Sequence, residues 1–175
     1  MRRTIAAVLG VAAIAIALGV SPSSGAAQIP GMPGPPRLWS PSIGVRGGWF
    51  LKDQSPSIGA VLIVPFPIPF LGPTLVGGVD AIFQDGLREY QGTADIRLNV
   101  VPGLYVGGGP AVMDTYFGTS TIRERKTGFS LVAGLRGGGG RISSTVEVRK
   151  MRVDSRRPTS VSLILSYRLL GLLGL

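Results

Sequence analysis

The sequence predicts an all-β protein, an eight-stranded antiparallel up-and-down transmembrane β-barrel with a polar lumen, preceded by a cleavable signal peptide. Three observations lead to this prediction. The chain opens with a basic start and an uncharged apolar stretch. From residue 42 onward, segments of about ten residues alternate apolar with polar or small side chains, which is the length and period of a tilted membrane strand. Short and long connections alternate between these segments, as in barrels that cross a membrane.

The N-terminus has the three parts of a secretory signal peptide. Met1-Arg2-Arg3 is basic, residues 4–20 carry no charge, and residues 21–28 (SPSSGAAQ) are mostly small. We therefore expect residues 1–27 to be removed by cleavage after Ala26 or Ala27. A retained membrane anchor is the alternative, although about seventeen apolar residues are short for a bilayer-spanning helix. The chain has no Cys, so neither a lipid-modified cysteine nor a disulfide is available.

Three further parts follow the signal peptide. Residues 28–41 (QIPGMPGPPRLWSP) are predicted to be a proline-rich leader, because proline neither continues a helix nor joins a strand ladder well. Residues 42–169 are predicted to form the barrel as one domain. Residues 170–175 form an apolar C-terminal tail.

Most of the predicted strands have one apolar face and one face of small, polar and charged side chains. The predicted strands are Ser42–Lys52, Ser57–Val64, Thr74–Gln84, Thr93–Val100, Leu104–Met113, Thr127–Arg136, Arg141–Met151 and Ser160–Leu169. The second is apolar on both faces and the fifth is rich in glycine, so the facing of these two stays open. An even number of antiparallel strands can close into a wall without an edge, which a sheet embedded in lipid requires.

The stretch TADIRLNV (93–100) raises the question of which face of the predicted strand is exposed outside the barrel and which lines its interior. Its polar residues share one face and its apolar residues the other, because side chains alternate along a strand. A soluble barrel would bury the apolar face, whereas a membrane barrel would expose it to lipid. The membrane arrangement is our main hypothesis. The alternative is a soluble exported β-barrel that binds a small apolar ligand, and a narrow ion-conducting pore is a further alternative.

The connections support the membrane hypothesis. They are short at 101–103 and 137–140, and longer and charged at 85–91, 114–126 and 152–160. Barrels of the outer membrane have long outer loops and short periplasmic turns in this alternating order. Two connections fit less well, because KDQSP (52–56) is short for an outer loop and PFPIPFLGP (65–73) is long for an inner turn.

Several segments resemble those of the small eight-stranded outer-membrane β-barrel family, typified by the membrane domain of outer membrane protein A. They are LYVGGGPAV (104–112), TGFSLVAGLRGG (127–138), STVEVRKM (144–151) and SVSLILSYRL (160–169). The resemblance implies a monomer in the outer membrane of a Gram-negative cell, inserted by the barrel-assembly machinery, with a structural or surface-interaction role. Family members usually end on an aromatic residue, whereas here Tyr167 is followed by Arg168 and LLGLLGL. Trp49, Phe83, Tyr105, Phe129 and Tyr167 could supply a sparse aromatic belt.

The composition excludes most catalytic chemistry. The chain has neither His nor Cys, which removes Ser-His-Asp triads, Cys-His nucleophiles and zinc sites built on these residues. Three carboxylates could still act as general acid and base, but neighbouring guanidinium groups would neutralise them, because buried charges must be paired. We therefore expect no enzyme, no cofactor and no metal. The predicted lumen ion-pair network is Arg46, Asp80, Asp95, Arg97, Arg136, Glu147, Arg149 and Arg168.

Basic residues outnumber acidic ones by 18 to 9, which favours anionic surfaces as partners. No basic run is interleaved with aromatic residues, so we expect no nucleic acid. Outer-membrane lipid, including lipopolysaccharide, is the expected partner, and solvated loop charge is the alternative interpretation. The candidate contacts are Arg123, Arg125, Lys126, Arg152, Arg156 and Arg157. The glycine clusters lack the Lys-Ser/Thr of a phosphate loop and are predicted either to permit strand coiling or to make room inside the barrel.

Overall fold

The computed structural model describes residues 40–66, 73–84, 87–117, 123–138 and 141–169. The eight strands are β1 (Ser42–Phe50), β2 (Ser55–Pro65), β3 (Thr74–Gln84), β4 (Leu87–Val101), β5 (Leu104–Phe117), β6 (Arg123–Gly137), β7 (Ile142–Val153) and β8 (Thr159–Arg168). Consecutive strands pair antiparallel and β1 pairs with β8, which closes the barrel. The predicted fold class of a closed, all-β, eight-stranded antiparallel barrel is confirmed. Within the described ranges, no helix is long and apolar enough to span a bilayer.

The strands extend further than the sequence predicts. Residues 87–91, 114–117 and 123–126 were expected in charged loops, yet they continue β4, β5 and β6. Their ladder is unbroken, with Leu87 opposite Phe117 and Tyr116 opposite Arg123. Polar side chains on both faces remove the alternation that marks a membrane strand, although the backbone pairing persists. The predicted signal peptide, leader residues 28–39 and the tail 170–175 lie outside the described residues.

The strand register fixes the width of the barrel. Partners traced once around the wall from Leu104 return to the same strand at Asp114, ten residues further along. With ordinary strand spacings, eight strands and this stagger give a tilt of about 40° and a radius of about 8 Å. An interior of that size is filled by side chains.

The two ends of the barrel differ. The loop end carries the connections at 51–54, 85–86, 118–122 and 154–158, and the turn end carries those at 66–73, 102–103 and 138–141. At the turn end, Pro102-Gly103 connects β4 and β5, as predicted, and the φ of Gly103 is +85°. Proline followed by a residue with positive φ is the signature of a type II turn, which favours glycine at its second central position.

The apolar faces of the strands point outward. On β4, Ile96 is 58% exposed, whereas Asp95 and Arg97 are 0% and 2% exposed. The same division holds around the wall. Large exposed apolar side chains include Ile43, Val45, Ile58, Leu62, Leu75, Val79, Phe83, Leu98, Val106, Phe129, Leu131, Leu135, Val148 and Leu165. This facing contradicts the soluble alternative, in which these side chains would line the interior.

The structure settles the two strands whose facing the sequence left open. On β2, Ile58 and Leu62 face outward, and Val61 and Ile63 are buried inside. On β5, Val106 faces outward and Tyr105 is buried at 2% exposure. The expectation that Tyr105 belongs to an outer aromatic belt is therefore wrong. The three glycines at 107–109 carry no polarity signal, so the sequence does not reveal this parity.

Candidate functional site

The described interior holds a network of ion pairs between strands that are not neighbours. Its members are Arg46 on β1, Asp80 on β3, Asp95 and Arg97 on β4, and Glu147 and Arg149 on β7. All six side chains are at most 5% exposed. Alternation places them on the inner face of their strands. Most of their contacts cross the barrel, apart from Arg149–Glu147 on β7 and Arg97–Asp95 on β4.

One part of the network joins β1 to β3 across β2. Arg46 Nε donates to Asp80 Oδ1 at 2.7 Å, and Arg46 Nη2 donates to Asp80 Oδ2. Such two-point contacts are the strongest form of carboxylate binding by arginine. Glycine in the intervening strand makes room, because a Cβ on Gly59 would lie 2.0 Å from Asp80 Oδ1. A Cβ on Gly78 would likewise lie 2.7 Å from Arg46 Nη2.

The other part joins β4 to β7 across the full width of the barrel. Arg149 Nη2 contacts Asp95 Oδ2 at 2.6 Å and Glu147 Oε1 at 2.9 Å. Arg97 Nη2 contacts Glu147 Oε2 at 2.6 Å, and Arg46 Nη1 lies 3.7 Å from Glu147 Oε1. Glu147 therefore connects the two parts of the network.

Two uncharged residues complete the network, and sequence reasoning missed both. Tyr105 donates its O–H to Glu147 Oε2 at 2.8 Å and accepts from Arg97 Nη1 at 3.1 Å. The Arg97 guanidinium also lies 4.9 Å from the centre of the Tyr105 ring. Ser130 on β6 donates its O–H to Asp95 Oδ1 at 2.5 Å and accepts from Arg149 Nη1 at 3.1 Å.

Two of the eight predicted network residues lie outside it. Arg136 on β6 is half-buried and approaches the Tyr105 ring at 6.0 Å, and Arg168 is exposed at the turn end. Neither forms an ion pair with a described residue. The six remaining members comprise three guanidinium groups and three carboxylates, so the network as observed carries no net charge. That balance is what a narrow interior requires, because an unpaired buried charge is costly.

The network leaves little space for chemistry. Each carboxylate is bound by arginine, which occupies the lone pairs that a general base would use. The cavity beside Arg46, Asp80 and Gln91 measures about 10 Å³, which is the room of a single water molecule. In the part of the chain that the structure describes, no three acidic residues are grouped to hold a metal ion.

Apolar clusters flank the network at both ends. Toward the loop end, Phe50, Ile82, Ala111, Met113, Met151 and Val153 pack together inside the barrel. Toward the turn end, the buried cluster is Val61, Ile63, Val76 and Ile164. The described interior is therefore layered, with charges enclosed between apolar side chains.

A small cup opens at the loop end above the apolar cluster. Its volume is about 180 Å³, and Phe50 and Met113 line it together with Lys52, Arg156 and Arg157. At its side, Glu89 is buried at 3% exposure. The Glu89 carboxylate accepts from Arg156 Nη1 at 2.7 Å and from the Thr115 hydroxyl at 3.1 Å. The sequence did not predict this pair, because residues 85–91 were taken for a loop.

The six candidate lipopolysaccharide contacts fall into two groups. Four already have acidic partners: Arg123 and Arg125 contact Asp114 at 2.5 and 2.8 Å, Lys126 contacts Glu124 at 3.0 Å, and Arg156 contacts Glu89. The other two, Arg152 and Arg157, are exposed and form no ion pair with a described residue. Hydrogen bonds from Arg125 and then Arg123 hold the pKa of Asp114 well below its ordinary range. Asp114 lies beyond Val112, the last outward apolar residue of β5.

A closed barrel of eight antiparallel strands with an apolar outer wall and a charged core is the architecture that small membrane β-barrels have. Among solved structures, the chain is similar to the N-terminal β-barrel domain of OprF from Pseudomonas aeruginosa, with a TM-score of 0.61. That match has 15% identity and covers 74% of this chain and 97% of the OprF domain. The chain thus resembles the small outer-membrane β-barrels in its fold, as the sequence segments predicted.

Two further solved barrels match less well. Ail of Yersinia pestis, in a phospholipid bilayer nanodisc, has a TM-score of 0.50 and 13% identity, over 75% of this chain and 99% of Ail. Neisserial surface protein A has a TM-score of 0.49 and 9% identity, over 76% of this chain and 96% of that protein. No protein-family model and no curated protein sequence matches the chain.

Proposed function

We propose that this chain is an integral outer-membrane β-barrel protein with a structural or surface-interaction role and no catalytic activity. The observation that carries the proposal is the facing of the closed wall. Apolar side chains point outward on every strand, and the charged residues Asp95, Arg97, Glu147 and Arg149 are buried inside. A soluble protein would expose such charges to water and bury the apolar face. Lipid is the solvent that favours the observed arrangement.

Export and insertion are part of the proposal. Residues 1–27 have the pattern of a signal peptide, and the barrel-assembly machinery is the expected route into the outer membrane. We propose a monomer, which the closed wall supports because the pairing of β1 with β8 leaves no strand edge for a partner.

The non-catalytic and non-conducting parts of the proposal rest on how the interior is filled. Every carboxylate of the network is paired with arginine, and the adjoining cavity has room for one water. An ion crossing the barrel would also have to displace the apolar cluster of Phe50, Met113 and their neighbours. These features favour a structural barrel over the narrow pore.

Outer-membrane lipid, including lipopolysaccharide, is the proposed partner at the loop end. Lipid phosphates require counter-charges, and the exposed guanidinium groups of Arg152 and Arg157 can supply them. Arg123, Arg125, Lys126 and Arg156 are less available, because each has an acidic partner within the protein.

Membrane fractionation followed by electrophoresis with and without boiling tests the proposal. We expect the mature protein in the outer-membrane fraction, extracted only by detergent, with a band that shifts on heating because the closed barrel resists detergent until it is boiled. Recovery in the soluble periplasm would contradict the proposal. Planar-bilayer recordings complete the test, and a conductance above background would favour the pore.

A further inference from the structure

Two cations interrupt the apolar outer wall on β7. The outward positions of this strand are Val146 and Val148, followed toward the loop end by Lys150 and Arg152. Both basic residues are exposed. They lie two residues apart on one face of the strand, so their Cα atoms are separated by about 7 Å.

The neighbouring strands stay largely apolar at this level. On β6, Leu131 is the register partner of Lys150, and Phe129 is the partner of Arg152. These apolar side chains are 58% and 51% exposed. On β8, Thr159 is the register partner of Lys150, and the next outward-facing residue of that strand is Val161. The basic pair therefore faces the surroundings of the wall at the loop-end edge of its apolar band.

No acidic residue of the described chain neutralises this pair. Glu147 lies on the same strand but points inward and is fully buried. Asp154, just beyond the strand, lies 3.7 Å from Lys126. Arg123 and Arg125 differ from the pair, because both contact Asp114 on the adjoining strand. A charge on the lipid-facing wall is unfavourable unless an anion outside the protein accompanies it.

We propose that Lys150 and Arg152 bind a phosphate group of a phosphorylated glycolipid in the outer leaflet. The guanidinium group supplies a planar two-point donor and the ammonium group a second positive charge, the combination that a phosphate dianion favours. Phe129 and Leu131 lie beside the pair and contact the acyl chains of the same lipid. This inference rests on the proposed function and deepens it, because it adds Lys150 to Arg152 and assigns one glycolipid phosphate to this outward-facing pair on β7.

Lipid binding to the folded barrel in detergent micelles tests the inference. The probe is bis-phosphorylated lipid A, titrated into wild type and into the double variant Lys150→Gln/Arg152→Gln, with bound lipid counted by native mass spectrometry. The control Arg141→Gln/Arg168→Gln removes the same charge at the turn end, where both residues are exposed and lie away from the proposed site. We expect the Lys150/Arg152 variant to bind at least tenfold more weakly and the control to bind within twofold of wild type.

Two further measurements distinguish a lipid phosphate from free inorganic phosphate as the ligand. Lipid A without its phosphates is expected to bind wild type as weakly as bis-phosphorylated lipid A binds the variant. Inorganic phosphate in tenfold excess over lipid A is expected to leave the bound lipid unchanged. Displacement by inorganic phosphate would overturn the assignment to a lipid. Equal binding by wild type and the Lys150/Arg152 variant, or an equal loss in the control, would overturn the site.

The heat-shifted band verifies that each variant is folded before its lipid binding is compared. The proposed function has a separate readout, the fractionation of the wild-type protein. If the wild-type protein fractionates with the outer membrane but the Lys150/Arg152 variant still binds lipid A, the proposed lipid site is wrong and the proposed function stands.

Discussion

The protein binds carboxylates with arginine in two very different places. In the barrel interior, Arg46, Arg97 and Arg149 are 2–4% exposed and contact carboxylates on other strands. At the loop end, Arg123 and Arg125 hold Asp114, although their side chains are 43% and 58% exposed. The distances are similar, but the consequences of breaking the contacts differ. A surface pair exchanges protein contacts for water, whereas a broken interior pair leaves a buried charge without a partner.

The largest effect is expected from breaking the interior pair of Arg46 and Asp80. Arg46→Met leaves the Asp80 carboxylate buried, and we expect it to lower the free energy of unfolding by about 3–5 kcal/mol. Urea titration of the refolded barrel in lipid vesicles measures the change. The matched double variant Arg46→Met/Asp80→Leu removes both charges and should recover most of the loss. A single variant as stable as wild type would show that the pair contributes no specific stability.

The next effect concerns the space that glycine leaves for the network. A Cβ on Gly59 would meet Asp80 Oδ1 at 2.0 Å and the Val79 carbonyl oxygen at 2.3 Å. Gly59→Ala should therefore destabilise the barrel by about 1–3 kcal/mol through overpacking. Gly77→Ala is the control, because a Cβ there has no neighbour within 4 Å. Equal unfolding midpoints for the two variants would contradict the close packing at Gly59.

A smaller effect is expected from the Tyr105 hydroxyl. Tyr105→Phe keeps the ring beneath Arg97 but removes the hydrogen bond to Glu147, and we expect a loss of about 1–2 kcal/mol. Tyr167→Phe changes the same atom on a side chain that is 45% exposed and should be close to neutral. Urea unfolding gives the loss in the free energy of unfolding for each variant. The ratio of the two losses shows how much more a buried, hydrogen-bonded hydroxyl contributes to stability than an exposed one.

The smallest effect is expected at Asp114, and it depends on pH. Because Arg125 and Arg123 lower the pKa of Asp114 in the folded state, its contribution is present above the unfolded pKa of about 3.9 and is lost as pH falls below it. Asp114→Asn should thus reduce stability slightly at pH 6. The difference from wild type should begin to shrink as pH falls below about 3.9 and should vanish only below the lowered pKa of Asp114 in the folded state. It should also shrink in high salt. A pH-independent difference would instead indicate a packing effect.

The same two regions show how much the sequence could predict. Facing was predictable for residues 93–100 of β4 and 145–149 of β7, because polar and apolar residues alternate there without interruption. It was not predictable for Tyr105, since the glycines that follow are compatible with either face. The alternation of residues along a strand reveals which side chains point inward but not their height along the barrel axis. It therefore could not separate Arg136 and Arg168 from the six paired residues. Their height depends on the ten-residue stagger of the wall, which no local pattern encodes.

The loop end was less predictable for a different physical reason. Beyond the apolar band, polar residues occupy both faces of the strands, and inner ones such as Glu89 and Thr115 are buried. Residues 87–91 and 114–117 therefore lack the alternation of polar and apolar residues that marks the membrane segments. Their strands continue through backbone hydrogen bonds, which every residue except proline can donate and accept. The Glu89–Arg156 pair therefore appears only in the structure.

The pairing of β1 with β8 also bears on the order in which the interior ion pairs form during folding. Arg46 is on the first strand, its carboxylate partner Asp80 is on the third, and Glu147 and Arg149 arrive on the seventh. The Arg149–Asp95 contact spans 54 residues of chain, so hairpins formed early cannot complete it. Until the first and last strands meet, the charges of an open sheet keep access to water. We therefore expect the Arg46–Asp80 pair to form once β1, β2 and β3 are together, and the contacts of Glu147 and Arg149 to be completed late, as the wall closes.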